Sequence, residues 1–243
     1  MNDTTDNTIK LLDHGFIRLV DHMGNDLSIV RNARVSYDAD WRAGDDAGSD
    51  TRLINYLMRN HHNTPLESVV FTFDVKAPIV VFRQWHRHRT QSINELSARY
   101  RELPEEFYIP EPHHIGKQNA DNKQMRDVIT EAEFNELDSK TRGDAIGVTL
   151  AMAEHNRESF RLYRSFLKAG VPRELARLVL PFATYSHMFA TVNLHNLFNF
   201  IRERSHEHAQ HEIRVYSDAM LELIEPIVPV AVAAFKKLQG EQL

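Results

Sequence analysis

The segment Arg87–Arg99, which reads RHRTQSINELSAR, gathers the residue types that hold an anion. It contains three arginines, two serines, one histidine and one glutamate. Arginine presents a fixed fork of donors that stays protonated at any workable pH, and serine hydroxyls with nearby backbone amides complete a phosphate cradle. The segment therefore predicts an anion site, and composition alone leaves open the alternative of a charged run on a solvated face.

Other polar side chains recur at the spacing of one helix face. Gln84, Arg87 and His88 stand at i, i+3 and i+4, so they share a face that leads into the arginine-rich segment. Two further pairs at a spacing of four are Arg173 with Arg177 and His195 with Asn199. Side-chain amides on one face can recognise a heteroaromatic ring. Cations near a helix end and amides on a helix surface are equally common without a ligand.

The elements that must position these residues predict an α+β fold. We expect a single domain over residues 1–243 in which an antiparallel or mixed sheet packs against several helices. The expected strands are 16–20, 69–75 and 183–192. In the first half of the chain we expect a helix over 27–35 capped by Asp26, a helix capped by Asp50, a helix from Pro78 to about His88 and a helix over about 125–137. A long helix should then run to Ala169 and end at Gly170, followed by helices over Pro172–Leu180 and after the cap Asn193. The C-terminal third should be mostly helical, with interruptions at Pro226 and Pro229. The polar stretch 111–144 is expected to be an excursion on the surface.

Composition narrows the class of protein. At 243 residues the chain is long enough for one substantial core, and 42% hydrophobic with 26% charged residues is typical of a globular protein. The formal net charge of −5 argues against a general nucleic-acid binder, because such a protein is normally basic. The amino terminus MNDTTDNTIK is polar, and no apolar run approaches the roughly 20 residues that span a bilayer. We therefore expect a cytoplasmic location.

Cysteine is absent from the chain, which excludes disulfides, thiolate metal sites and every mechanism that starts with a cysteine nucleophile. The histidines His206, His208 and His211 are crowded. However, neither His206 nor His211 begins an HExxH pattern, because Gln210 and Val215 stand four residues further on. We predict no metal site.

Four segments, in order along the chain, resemble the flavin-dependent thymidylate synthase family. Arg-His-Arg at 87–89, seven residues and then Ser-Ala-Arg-Tyr at 97–100 is similar to the central signature of that family. The other matches are HNTPLE at 62–67, GVPRELARLVLP at 170–181, and Asn199 followed by RSHEHA at 204–209. The chain departs from the family pattern at His195, where Asn-x-Arg is usual, and at Glu203, where an apolar residue is usual.

The resemblance implies a fold and a reaction. It implies the fold of that family and the reductive methylation of dUMP to dTMP, with 5,10-methylenetetrahydrofolate as carbon donor and FAD reduced by NADPH. It also implies a homotetramer with its sites at subunit interfaces. Other thymidylate synthases activate uracil through a cysteine, so they are excluded here. A chain without that residue must make carbon 6 of the ring reactive by another route, for instance by hydride delivery from a flavin while a cation stabilises the ionised ring.

The resemblance and the chemistry of the side chains together give candidate site residues. For dUMP they are Gln84, Arg87, Glu95, Ser97, Arg99, Arg177 and Arg204. Arg87, Ser97 and Arg99 are expected at the phosphate, Gln84 and Glu95 near the sugar, and Arg177 and Arg204 at the pyrimidine, with Arg204 as the catalytic residue. For FAD the candidates are His62, Thr64, Arg87, His88, Arg89, Glu95, Asn193, His195 and Asn199.

Two alternatives remain at this point. A flavoenzyme that methylates a different pyrimidine nucleotide would have the same phosphate cradle, because the cradle does not contact the base. A nucleic-acid-binding module would use the arginines of Arg87–Arg99 on phosphates and would gain from Trp85 and Tyr100 beside them.

Overall fold

A computed structural model describes residues 7–123 and 125–240 and confirms the α+β class. Its strands are β1 (Thr8–Leu11), β2 (Gly15–Met23), β3 (Val70–Pro78), β4 (Ser92–Glu95), β5 (Lys117–Gln118), β6 (Arg126–Asp127) and β7 (Tyr185–Asn193). Five of them form one sheet in the order β1-β2-β3-β7-β4, and every neighbouring pair is antiparallel. The strands β5 and β6 form a separate two-stranded ribbon.

Nine α-helices lie within the described residues. They are α1 (Asp26–Arg34), α2 (Ala47–Arg59), α3 (Ile79–Trp85), α4 (Glu131–Glu136), α5 (Ser139–Lys168), α6 (Arg173–Ala176), α7 (Leu194–Arg204), α8 (His211–Ile224) and α9 (Pro229–Gly240). A short 3₁₀ turn, Arg177–Val179, continues α6. None of the helices in the described ranges is long and apolar enough to cross a membrane.

The main core lies on one face of the sheet. Alternate residues of β3, namely Phe71, Phe73 and Val75, are fully buried and pack against apolar residues of α1, α2, α7, α8 and α9. A smaller cluster around Phe160 and Tyr163 joins α5 to α6.

Two helix boundaries and the position of one strand agree with the sequence pattern. Asn193 caps α7 by accepting a hydrogen bond from Asn196 N at 2.9 Å. Gly170 follows α5 at φ +82°, the left-handed conformation that glycine adopts easily after a helix. The strand predicted at 183–192 is β7.

Two predicted helix caps are wrong. Asn25 caps α1, and Asp26 instead accepts from the backbone N–H groups of Val230 and Ala231 at the start of α9, at 2.8 and 3.1 Å. Asp46 caps α2, whereas Asp50 is buried and pairs with Arg34 at 2.7 Å. In both cases the local pattern assigns the carboxylate as the cap of its own helix, but the carboxylate instead binds a residue of another helix.

The helix predicted at about 125–137 is also wrong in part, because 126–127 belong to a strand and α4 begins at Glu131. The helix predicted from Pro78 to about His88 is shorter, since Pro78 ends β3 and α3 ends at Trp85. The short strands β1 and β4 were not predicted. Each has four residues, too few to show a period. None of the described residues in 111–144 is buried, in agreement with a surface position.

Gly15, at the start of β2, leaves room for a hydrogen bond in the core. A Cβ atom there would lie 2.1 Å from Tyr216 Oη, which donates to Lys76 O at 2.7 Å, and 2.7 Å from Leu11 O. We expect Gly15→Ala to lower the free energy of unfolding by about 1–3 kcal/mol, the usual cost of overpacking. Denaturant unfolding at one fixed protein concentration measures this change in the free energy of unfolding. Gly143→Ala in α5, where nothing lies within 4 Å, is the control, and an equal effect of both substitutions would contradict the steric explanation.

Candidate functional site

The ends of α3 and α7 meet at Arg204. Arg204 Nε donates to His88 Nε2 at 2.9 Å, and Nη2 donates to the backbone oxygen of Gln84 at 3.4 Å. Phe200, one turn earlier on α7, packs against the His88 ring with centroids 4.8 Å apart. The structure thus brings Gln84 and His88, predicted on one helix face, together with Arg204 of the segment 204–209.

Arg204 is a half-buried cation that has no carboxylate within salt-bridge distance among the described residues. Burial lowers the pKa of His88 and the charge of Arg204 lowers it further, so the imidazole that accepts from Arg204 is neutral. Burial also lowers the pKa of Arg204, which Glu203 opposes and Arg87 reinforces. Arginine stays protonated nevertheless. The neighbouring carboxylate Glu203 pairs with Arg202 at 3.8 Å. An anion beside Arg204 would therefore meet a positive charge that Glu203 offsets only from a distance.

A cavity of about 540 Å³ lies on the other side of α3. Glu95, Ser97 and Arg177 line it, together with Arg83 and His86 of the α3 end and the apolar residues Phe82, Leu180 and Phe182. Ser186 of β7 donates to Glu95 Oε1 at 2.8 Å and holds that carboxylate at the wall. A serine, an arginine and a fixed carboxylate beside an apolar wall suit a nucleotide.

The residues predicted for dUMP therefore form two groups within one chain. Glu95, Ser97 and Arg177 line the cavity. Gln84 and Arg204 do not line it and meet instead at the junction of α3 and α7.

Arg99, predicted at the phosphate, pairs with Glu174 at 3.3 Å near the cavity, and both side chains are more than half exposed. Glu174 therefore competes with an incoming phosphate.

We expect Glu174→Gln to tighten dUMP binding by roughly two- to fivefold, since an exposed ion pair contributes about 0–1 kcal/mol. Titration calorimetry measures this change. Deoxyuridine, which has no phosphate, should bind equally to both proteins, and a gain for deoxyuridine would contradict the competition.

The residues predicted for FAD follow α7 and the turn after α2. His195 and Asn199 line a small cavity of about 80 Å³ whose other walls come from α2, α9 and that turn, including Asn63. Asn199 Nδ2 contacts His195 Nε2 at 3.2 Å, and Arg202 donates to Asn199 Oδ1 at 2.9 Å. His62 and Thr64 flank Asn63 and are exposed. Asn193 uses its oxygen as the α7 cap, which leaves its amide nitrogen for a ligand.

The chemistry of these donors fits FAD. A dinucleotide needs cations for its pyrophosphate and amides for its ring edges, and α7 presents His195, Asn199 and Arg202 on one side. The cavity itself, about 80 Å³, is far below the roughly 300–1,000 Å³ of ligand pockets. This chain would therefore hold the cofactor along the exposed side of α7 and not enclose it. No group of three or more residues able to bind a metal occurs in the described ranges.

Sequence reasoning missed Ser186, Arg202 and Gln210. Arg202 continues the stripe of His195 and Asn199, so helical spacing could have found it. Ser186 contacts a residue 91 positions away, and Gln210 accepts a hydrogen bond from Gln84, 126 positions away. No local pattern predicts such pairs.

Comparison with known proteins gives the class first. A family model described as "Thymidylate synthase complementing protein" matches residues 18–230. The solved structure of a UMP/dUMP methylase, PolB from Streptomyces cacaoi with bound 5-Br dUMP, has the same fold at a TM-score of 0.81 and 35% identity, covering 94% of this chain and 97% of that one. The same enzyme with 5-Br UMP gives a TM-score of 0.79.

Curated relatives then identify the particular family. A flavin-dependent thymidylate synthase of Treponema denticola is 44% identical over 232 residues, covering 96% of this chain and 83% of that protein. One of Ehrlichia ruminantium (strain Gardel) is 45% identical over 226 residues, covering 93% and 72%. This chain belongs to the flavin-dependent thymidylate synthase family.

Proposed function

We propose that this chain methylates dUMP to dTMP, with FAD as cofactor, 5,10-methylenetetrahydrofolate as carbon donor and NADPH as reductant. The observation that carries the proposal is the half-buried Arg204, which has a neutral histidine for a partner and no carboxylate within salt-bridge distance in the described residues. Such a cation favours a uracil ring that becomes anionic during the reaction. Membership of the family supports the reaction and the flavin.

The chain's own residues then have these roles in our proposal. Ser97 and Arg99 bind the phosphate side of dUMP, and Gln84 with Glu95 orients the sugar. Arg177, expected at the pyrimidine, lines the same cavity as Ser97, and we assign it to the phosphate side instead. Arg204 lies against the pyrimidine, where His88 fixes the plane of its guanidinium through Nε. His195, Asn199 and Arg202 of α7 would hold FAD, which would supply the hydride that adds to the ring. Arg204 stabilises the negative charge that develops on the ring oxygens as this happens, an effect of about 3–4 kcal/mol for one well-placed donor.

We further propose that the enzyme is a homotetramer whose nucleotide sites combine residues of two copies. The separation of Arg204 from the Ser97 cavity supports this arrangement. So does the stretch 145–153 of α5, AIGVTLAMA, in which Leu150 is 64% exposed and Ile146, Val148 and Met152 are exposed as well. A helix that is apolar all round is normally buried, and a second copy of the same helix would cover it.

Product analysis tests the proposed reaction. Purified protein loaded with FAD should convert dUMP to dTMP only when both the folate and NADPH are present. Protein from which FAD has been removed is the control. Formation of dTMP without FAD, or none with the complete mixture, would contradict the proposal.

A second candidate substrate is UMP, because the structural neighbour is a UMP/dUMP methylase. The same assay with UMP in place of dUMP separates the two. We expect dUMP to be the better substrate, as the name of the curated relatives indicates. The cytoplasmic location remains a prediction from the sequence.

A further inference from the structure

The helix α3 presents one face to the cavity that Ser97 lines. The residues of α3 and its C-cap that line this cavity are Ile79, Phe82, Arg83 and His86. Their spacing of i, i+3, i+4 and i+7 is that of a single helical face. Gln84 lies off this face and contacts Arg204 and Gln210 instead. The two sides of α3 therefore serve two different groups of residues.

Arg83, and not Arg87, is the arginine that this helix directs to the cavity. The helix α3 ends at Trp85, so Arg87 follows the last helical turn, and it does not line the cavity. Arg87 acts on the other group, because the pKa of Arg204, lowered chiefly by burial, is lowered further by the charge of Arg87. The place beside Ser97 that the sequence pattern assigns to Arg87 is thus taken by Arg83.

The guanidinium of Arg83 is available to a ligand. Among residues 7–123 and 125–240, neither Arg83 nor Arg177 has a carboxylate within salt-bridge distance, and both residues are exposed. The carboxylate of the cavity wall, Glu95, accepts from Ser186 at 2.8 Å. Arginine stays protonated and presents a fork of donors that matches a phosphate group. An anion in this cavity would meet two arginines without an internal partner.

We propose that Arg83 is a further dUMP-binding residue, which holds the phosphate group together with Ser97 and Arg177. The inference rests on the proposed function, because it takes dUMP as the ligand of this cavity. A phosphate monoester carries a charge of about −1.5 to −2 at pH 7, which two arginines match. The apolar residues of the same cavity keep part of the water away, and a charge pair is stronger there than on an open surface.

Calorimetric titration of FAD-loaded Arg83→Gln with dUMP and with deoxyuridine tests the proposal. The titrations are made at about 0.15 M salt, where exposed charges more than roughly 8 Å apart are largely screened, so that a loss reports a contact. We expect the dUMP Kd to rise about tenfold, the effect of one charge-assisted hydrogen bond, and the deoxyuridine Kd to stay within about twofold. Arg83→Met, a second neutral variant, should give the same result and keeps the test decisive if Arg83→Gln folds poorly.

Arg101→Gln is the matched control for a general effect of charge. It removes an exposed arginine four residues after Ser97 that does not line the cavity. The dUMP Kd of this control should stay within about twofold of the wild-type value, because exposed charges contribute little at a distance. The FAD content of the Arg83 variants should equal that of the wild type, since the FAD candidates on α7 do not line this cavity.

Three results would overturn the inference. These are wild-type dUMP affinity in both Arg83 variants, an equal loss of affinity for dUMP and deoxyuridine, or a loss of the same size in Arg101→Gln. Failure of the wild-type protein to bind dUMP would refute the proposed function itself, and the inference with it.

Discussion

Replacement of Arg204 by lysine should slow hydride transfer by roughly 100-fold, the cost of one lost charge-stabilising donor. Lysine keeps the positive charge. It loses the planar fork through which Arg204 donates to His88 and to Gln84 O, so the charge is no longer fixed against the ring. Because the interaction strengthens as negative charge develops, the effect should appear in the rate and much less in dUMP affinity.

Single-turnover oxidation of reduced flavin, with dUMP and folate at saturation, measures this rate. Arg52→Lys makes the same chemical change on α2, where the arginine side chain is 75% exposed, and should behave as wild type. If Arg204→Lys oxidises at the wild-type rate once dUMP is saturating, Arg204 is a binding residue and its catalytic role is wrong.

Arg99→Ala should weaken dUMP binding by about 10- to 100-fold, the equivalent of one charge-assisted hydrogen bond of roughly 1.5–3 kcal/mol. Arg99 follows Ser97, whose hydroxyl accepts from Arg99 N at 3.3 Å, and it lies close to the cavity of Ser97 and Arg177. Deoxyuridine should lose little affinity, and the FAD content should not change.

Calorimetric titration with dUMP and with deoxyuridine distinguishes a contact to the phosphate from a contact to the rest of the nucleotide. The loss of Arg99 also leaves Glu174 unpaired near the phosphate, and Arg99→Ala with Glu174→Gln removes that repulsion. Arg101→Ala, two residues further on at an exposed position, is the matched control. An equal loss of affinity for dUMP and deoxyuridine would rule out the phosphate role.

Sequence pattern predicted the elements whose signals are local. The Asn193 cap and the Gly170 stop act within one helical turn, so the residues around them carry the whole signal. The carboxylates of Asp26 and Asp50 have the same local signature of a helix cap. However, Asp26 accepts a hydrogen bond from Val230, 204 positions away, and Asp50 pairs with Arg34. Local propensity cannot include such tertiary partners.

The same difference between local signals and tertiary contacts applies to the candidate site. The motifs predicted which residue types would hold a phosphate and a ring, and helical spacing placed His195 beside Asn199. They could not predict that Gln84 pairs with Gln210, or that Glu95 is fixed by Ser186, because sheet pairing and helix packing create those contacts. Nor could spacing along one chain indicate that Arg204 and Ser97 lie in different groups.

The separation of these groups leads to the most direct test of the account, the mixing of two inactive variants. One variant carries Arg204→Ala and the other carries both Arg99→Ala and Arg177→Ala, and the two are co-expressed with different tags and purified as mixed oligomers. If each site takes Arg204 from one copy and the phosphate residues from another, random assembly leaves about a quarter of the sites intact. The account predicts that the mixture forms dTMP at about that fraction of the wild-type rate, whereas a mixture as inactive as its two components would contradict it.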